Sequence, residues 1–396
     1  MHQHIRKLKN TAHFALAVSA NTLHFFPSKG LTIIGVTGTD GKTTTSNLIY
    51  HILMEAGIKT AVISTLGAVI NGKTYETGFH VTTPSPFAIQ KYIKLAKQEG
   101  CTHVVLEVTS HALDQHRVWG INFDIGVLTN ITPEHLDYHR NYDNYVDTKL
   151  KLFKNSKLSV INSNGIWFEK AISIIPKDRL VSYSLHGVNK NDLSLINIPF
   201  QIKTKLIGDF NLENILAAVC TTLALGINQK TVESAITSFE PPAGRQEEFV
   251  SKNNARIMVD FAHTANSFDV ILPEVRKTTK GKVIHVFGAA GDRDRGKRPE
   301  MGKVASYYDD IIVLTAEDPR SETVQDINAQ IKSGISDLSK VHEIEDRNEA
   351  ISHAISLATA DDTVIITGKG HELTMNLGHG EIKWSDRDAV KKLIGM

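Results

Sequence analysis

The chain has 396 residues, is 41% hydrophobic and 22% charged, and carries a formal net charge of +1. That length exceeds one ordinary core, so two or three domains are expected, and the near-neutral charge excludes a general attraction to nucleic acid or to an anionic membrane. Its two cysteines, Cys101 and Cys220, cannot build a metal cluster and fit a reducing compartment.

The first ten residues are basic and 14–26 is partly apolar, but Ser19, Asn21 and His24 interrupt the run and no cleavage signal is clear. A short packing helix, or one lying on a membrane surface, is expected there rather than a secretion signal. No apolar run reaches the length of a membrane span. Next comes a strand-like run at 31–36, then G-V-T-G-T-D-G-K-T-T-T at 35–45, then a helical pattern at 43–57. A glycine-rich turn between strand and helix aims backbone N–H groups and the positive end of the helix dipole at one point. Lys42 adds a full positive charge, and Thr43 offers a hydroxyl to magnesium, so the turn suits a nucleoside triphosphate. The spacing is not the usual G-x-x-x-x-G-K-[ST]. Val36 stands where the first glycine belongs, Gly35 lies six residues before Gly41, and Gly38 is an extra glycine.

Val62 and Ile63 lie in a short apolar run, and Asn71-Gly72 marks a hairpin turn. Residues 85–100 read as a helix and 102–107 as a buried strand ending in Glu107. A carboxylate there suits a magnesium ligand beside a phosphate loop, or else faces solvent. A strand at 123–128 and a helix at 142–154 follow. Between them His135 and His139 stand at i and i+4, a spacing that chelates a metal or merely caps and packs. A long helical stretch at 211–239 ends at P-P-A-G, 241–244, which reads as a linker. A second alternation then places strands at 256–260, 282–287, 310–314 and 363–367, with helices near 267–276, 297–307, 324–336 and 348–358. Three of these strands end in polar loops. One, at 288–299, holds Arg293, Arg295, Lys297 and Arg298; the others are E-D-P-R at 317–320 and G-K-G-H-E at 368–372. Loops at one edge of a parallel sheet converge on a crevice, and the basic cluster favours an anion there. The fold class expected is α/β: a segment at 1–30, a central P-loop ATPase-like domain with a mostly parallel sheet at 31–241, and a C-terminal Rossmann-like domain at 242–396.

Further ordered motifs accompany these. They are V-T-T-P at 81–84, the run 107–113 with Gln115 and Arg117, Thr129-Asn130, Lys149, G-D-F-N at 208–211 with Asn214, Gly244-Arg245, D-F-A-H-T at 260–264 and S-D-R at 385–387. Together they resemble the Mur ligase family over residues 25–396, most of all the branch that adds the third residue of the peptidoglycan stem peptide. The resemblance implies a cytoplasmic, ADP-forming amide ligase that uses ATP held by the central and C-terminal domains. Its substrates would be UDP-MurNAc-L-Ala-D-Glu and an amino acid, joined through an acyl phosphate. It assigns Gly38, Thr39, Asp40, Gly41, Lys42, Thr43 and Thr44 to the ATP phosphates. Asn211 and Asn214 fall near the adenine, Arg245 on phosphate and Asp260 on ribose. Thr43 and Glu107 match ligands of one Mg²⁺ and His135 of a second. Lys149 matches a lysine carbamylated by CO₂, which turns a cation into an anion beside the metal. Thr82, Thr83, Thr109, Gln115 and Arg117 match contacts to the muramyl peptide. Arg293, Glu317, Asp318, Arg320, Gly368 and Glu372 match the pocket for the incoming amino acid.

Departures from the family pattern are Asp40 for Asn, Pro133-Glu134 before His135, and Glu317-Asp318 for Asp-Asn. Arg320 is kept, and an arginine grips a distal carboxylate bidentately, so meso-diaminopimelate is the amino acid expected. Relatives carry an N-terminal domain that holds the UDP. Residues 11–30 resemble only the segment joining it to the central domain, so that domain is expected to be missing. The UDP is then held weakly, or by a partner chain, or the substrate is another carrier; a monomer is otherwise expected. Two alternatives stand beside this reading: a related ligase acting on another glutamyl or lipid-linked carboxylate, and a non-catalytic ATP-binding scaffold.

Overall fold

The structure, a computed structural model, describes residues 2–77, 82–189 and 192–396, with residues 2–8 and 137 by backbone alone. Val81 of the V-T-T-P motif lies outside the described residues. The chain divides into two units, Met1–Glu240 and Pro241–Met396. Both are α/β units built on mostly parallel sheets.

The first unit has eight strands: β1 (Thr32–Thr37), β2 (Thr60–Ser64), β3 (Gly67–Ile70), β4 (Lys73–Tyr75), β5 (His103–Glu107), β6 (Ile125–Leu128), β7 (Leu158–Asn162) and β8 (Leu180–Tyr183). Their order is β4-β3-β2-β5-β1-β6-β7-β8. All neighbours pair in parallel except the β2–β3–β4 meander. Its second turn is Asn71-Gly72, where φ is +49° and +75°. Positive φ at both central residues is what a tight hairpin turn requires, and Asn-Gly supplies it at least cost. The helices are α1 (His2–Leu23), α2 (Lys42–Glu55), α3 (Pro86–Gln98), α4 (Ser110–Asp114), α5 (Leu136–His139), α6 (Tyr142–Leu150), α7 (Phe168–Ile174), α8 (Asp209–Ala224) and α9 (Gln229–Ser238). Both faces of the sheet are covered. Along β1, Ile33 joins a core with α3, while Ile34 and Val36 join another with α2, α8 and α9. A strand buried on both faces reads as an unbroken apolar run, which is how β1 appears in the sequence.

The stretch expected as one helix at 211–239 is two. Gly226 adopts φ +82°, and the Asn228 side chain caps α9 by accepting from Thr231 N–H. The helix expected near 14–26 is the longer α1, which buries Ala17, Ala20 and Asn21. Asn21 Nδ2 donates to Trp119 O at 3.1 Å, and Phe14 meets Trp119 edge-on. Among the described residues no helix is long and apolar enough to cross a membrane.

The second unit has a six-stranded sheet of β9 (Glu247–Val250), β10 (Arg256–Val259), β11 (Val283–Phe287), β12 (Ile311–Leu314), β13 (Val341–Glu343) and β14 (Thr363–Ile366). The order is β13-β12-β11-β14-β10-β9, with only β9 antiparallel. Its helices are α10 (Ala265–Thr278), α11 (Lys297–Tyr308), α12 (Val324–Lys332), α13 (Arg347–Leu357) and α14 (Asp386–Ile394). A small hairpin, β15 (Thr374–Asn376) and β16 (Glu381–Lys383), follows β14. One buried ion pair fixes the loops at the carboxyl edge. Arg347 binds Asp386 through two nitrogens at 2.7 and 2.8 Å, and donates to the carbonyls of Ala316 and Thr367.

Candidate active site

The glycine run folds as strand, loop and helix. Gly35 is not part of the loop: it lies inside β1, opposite Leu106 and Gly126, where a side chain would press on the Phe123 ring. The odd spacing in the sequence is therefore a packing glycine next to a loop of residues 38–41. Gly38 and Gly41 both adopt positive φ, and a Cβ at either would collide, with Thr129 Oγ1 and Asn214 Oδ1 respectively. Helix α2 starts without a side-chain cap. Its first amides thus remain available to an anion, as phosphate binding requires. Lys42 Nζ donates to Thr39 O at 2.7 Å, so the lysine closes over the loop.

Neighbouring strands complete the shell. Strand β5 delivers Glu107, fully buried, whose two oxygens each accept from Thr43 Oγ1 at 3.1 Å. Thr65, just past β2, adds its N–H and hydroxyl to Glu107 Oε2 at 3.0 and 3.1 Å. Thr65 was not foreseen; a hydroxyl after a short strand gives little signal. From the loop after β6, Asn130 accepts from Asp40 N–H at 2.9 Å, and Thr129 donates to Asp40 O at 2.6 Å. The side chain of Asn214 on α8 accepts from Thr45 at 3.3 Å and donates to Asn211 at 3.1 Å. Asn214 thus lies beside Gly41, with Asn211 bonded behind it.

Lys149 on α6 is buried and donates to Gly38 O at 2.7 Å, with its nitrogen 4.5 Å above the Tyr145 ring. Burial, reinforced by nearby Lys42, holds its amine well below the usual lysine range. Such a shift favours the neutral amine over the ammonium. The Tyr145 hydroxyl in turn meets Thr39 Oγ1 at 3.1 Å. His135 stands across the same ring, 6.4 Å between centroids, with a side chain 47% exposed. It takes φ +54° at the N-cap of α5. His139 is buried against Ser110 Oγ at 3.0 Å. The two histidines differ in setting: the His135 side chain is half exposed and makes no cap bond to α5, while His139 packs inside. Among the described residues no group of three or more His, Cys, Asp or Glu is placed to hold a metal. The Thr43 hydroxyl and Glu107 carboxylate are nonetheless hard oxygen donors of the kind magnesium prefers.

Thr83, Thr109, Gln115 and Arg117 form one chain of contacts. Thr83 Oγ1 donates to Glu107 O at 3.0 Å and accepts from Thr109 N–H at 2.9 Å. Arg117 donates to Thr83 O at 2.6 Å and to Gln115 Oε1 at 2.7 Å. Thr82 is half-buried at the start of this loop.

In the second unit, the loops after β11, β12 and β14 do meet. Gly291 N–H donates to Asp318 O at 2.9 Å, and Gly368, at φ +105°, lies against the Glu317 carboxylate. Glu317 is buried and its Oε2 makes no hydrogen bond. Burial raises its carboxyl to about 7, although Lys297, Arg347 and Lys369 pull it down. Arg320 Nη1 donates to Gly291 O at 3.0 Å. Lys369, unforeseen because it stands between two turn glycines, is fully buried and reaches Asp318 and Glu372. The basic cluster is a correction. Arg298 is fully buried and bound to Glu322 and Gln330, and Lys297 donates to His263 O at 2.9 Å. Arg295 pairs with Glu322 at 3.2 Å, whereas Arg293 is exposed. Most of that charge serves to hold the loop. Arg245 lies over the Phe261 ring at 4.5 Å. Asp260 is buried and accepts from the N–H groups of Gln246 and Ala262 at 2.9 and 2.7 Å.

Comparison with known proteins gives the same two-part division of motifs. The family profile described as Mur ligase middle domain matches residues 36–222, and that described as Mur ligase, glutamate ligase domain matches 244–370. The chain is 37% identical over 399 residues to the UDP-N-acetylmuramoyl-L-alanyl-D-glutamate–2,6-diaminopimelate ligase of Aquifex aeolicus, covering 96% of this chain and 81% of that one. The ligase of the same name from Syntrophomonas wolfei is 38% identical over 404 residues, with the same shares covered. A solved structure of a ligase so named superposes with TM-score 0.65 at 31% identity, over 93% of this chain and 79% of that one. The folylpolyglutamate synthase of Mycobacterium tuberculosis reaches TM-score 0.75 over 97% and 95% of the two chains, at 17% identity, a likeness of fold.

Proposed function

The chain belongs to the Mur ligase family, and from that premise we propose that it is an ATP-dependent, ADP-forming ligase joining meso-diaminopimelate to UDP-MurNAc-L-Ala-D-Glu. The observation that carries this reading is the uncapped start of α2, where Lys42 closes over the loop and Thr43 meets Glu107 of β5, in a chain of which 96% is matched by a diaminopimelate ligase. That meeting is the P-loop ATPase-like feature of the first unit.

The chemistry follows from a weakness of carboxylates. Their charge repels a nucleophile, and oxide is a poor leaving group. In this reading a carboxylate oxygen of the D-glutamate attacks the terminal phosphorus of ATP and ADP departs. The amine of the amino acid then attacks the acyl carbon, and inorganic phosphate leaves with that oxygen. Lys42 and the amides of Gly38, Gly41, Thr43 and Thr44 hold the phosphates, fixing the attack in line, while Thr39 and Asp40 shape the loop through their N–H bonds to Asn130. Thr43 and Glu107 would hold Mg²⁺ and His135 a second ion; bound there, such ions would supply positive charge against that developing on the phosphoryl oxygens. Lys149, as a carbamate, would supply an anion beside that second ion. Asn211 and Asn214 border the adenine, Arg245 the phosphates and Asp260 the ribose, through lone pairs not used on Gln246 and Ala262. Thr82, Thr83, Thr109, Gln115 and Arg117 hold the muramyl peptide. Arg293, Glu317, Arg320, Gly368 and Glu372, with Asp318, form the amino-acid pocket.

The test offers ATP, Mg²⁺ and UDP-MurNAc-L-Ala-D-Glu with diaminopimelate, L-lysine or L-ornithine in turn. Phosphate release matched by the mass of the diaminopimelate adduct is expected. Release with no mass gain from any of the three would overturn the assignment.

A further inference from the structure

Asp318 is where the loop after β12 departs from the family pattern, and its side chain is already engaged. Both oxygens accept from Lys369 Nζ, at 2.9 and 3.0 Å, and Oδ1 also accepts from Asn376 N–H at 2.8 Å. On its other side Lys369 lies 2.6 Å from Glu372 Oε2. One buried ammonium therefore joins the loop after β12 to the loop after β14. Asn376 carries a second tie, since its carbonyl accepts from Arg320 N–H at 3.2 Å. Asp318 and Arg320 thus hang on the same residue of β15, and Arg320 O closes against Gly378 in the turn beyond it. Both Asp318 and Arg320 hold positive φ, +46° and +53°. Such backbone persists where surrounding contacts over-determine it, and these contacts do so.

An added carboxylate in a pocket invites the view that it receives a substrate amine. Here its charge is matched by Lys369, and three of its lone-pair positions are occupied by protein donors. A buried charge that loses its partner is costly, so the pair is held tightly in place. We propose that Asp318 is a positioning residue of the amino-acid pocket, acting through Lys369 and Asn376 to set Glu372 and Arg320, rather than a ligand of the amino acid. With asparagine at 318, Oδ1 still accepts from Asn376 N–H, so Arg320 and the choice of amino acid are kept, while the ammonium of Lys369 keeps a single carboxylate and shifts towards Glu372, drawing it off the pocket. The inference rests on the assignment of this pocket made above.

Two measurements on the full chain test it. In the ligation assay, Asp318→Asn is expected to raise the KM for diaminopimelate about tenfold, leave the KM for ATP unchanged, and leave the preference for diaminopimelate over lysine unchanged. A tenfold change in that preference, or an unchanged KM for diaminopimelate, would overturn the proposal. Hydrogen exchange without ligands reads the tie directly. Asp318→Ala is expected to speed exchange at 374–376 by about tenfold while β11 and β12 keep their protection. Unchanged exchange at 374–376 refutes the tie whatever the enzyme turns over. Absence of ligation in the wild type beside faster exchange in the variant counts against the reaction assigned and not against the tie.

Discussion

Glu317 makes a quantitative prediction about stability. Its carboxyl is buried at the end of β12, Oε2 makes no hydrogen bond, and burial raises it from the ordinary 4.5 to about 7. Between those two values the folded chain binds a proton that the unfolded chain has released. Stability therefore falls as pH rises from about 4.5 to about 7, and the whole cost is present above that. A difference of this size corresponds to about 3 kcal/mol. Glu317→Gln keeps the volume and removes the charge, while its amide N–H groups return about 1 kcal/mol for lack of partners. A net gain of about 2 kcal/mol at pH 8 is expected, and a net loss of about 0.5 kcal/mol at pH 4.5, where the amide cost outweighs the small part of the carboxylate cost present there. The assay is denaturant unfolding of the full chain at both pH values. Trp384, in the second unit beside Asp386, serves as reporter in a background carrying Trp119→Phe and Trp167→Phe. The same pH dependence in the variant as in the parent would refute the buried-carboxylate cost. If the gain appears and ligation is lost, the cost is one the fold tolerates for its function, because an incoming ammonium gives the bare oxygen its partner.

Other substitutions probe the remaining parts. Lys149→Ala is expected to lose ligation and to regain part of it with added formate or acetate, read as phosphate release; full activity without them refutes the carbamate. Arg320→Ala is expected to raise the KM for diaminopimelate by a factor of ten or more while leaving that for lysine nearly unchanged. Equal losses for the two amino acids would remove Arg320 from recognition of the distal carboxylate.

Much of the first site was legible because its signals are local. Lys42 and Thr43 follow a glycine turn, and Glu107 ends an apolar run, so the parallel sheet brings them together. Gly35 misled because a glycine needed for packing against Phe123 looks, in sequence, like one needed for a loop. Thr65 and Lys369 were missed for a different reason. Each acts through a partner 42 or 51 residues away, a relation that pattern alone does not contain. Arg298 was misplaced because a charged residue after a strand reads as solvated or anion-binding, whereas here Glu322 and Gln330 enclose it. Burial, unlike residue type, is decided by the tertiary fold.

Activation of the D-glutamate carboxylate by transfer of the terminal phosphoryl group would move one carboxylate oxygen to phosphate, and that oxygen can be followed. UDP-MurNAc-L-Ala-D-Glu labelled with ¹⁸O in that carboxylate is turned over with ATP, Mg²⁺ and diaminopimelate, and the inorganic phosphate is weighed. One ¹⁸O in the phosphate for each amide formed is the result expected. Amide formed with unlabelled phosphate would contradict it.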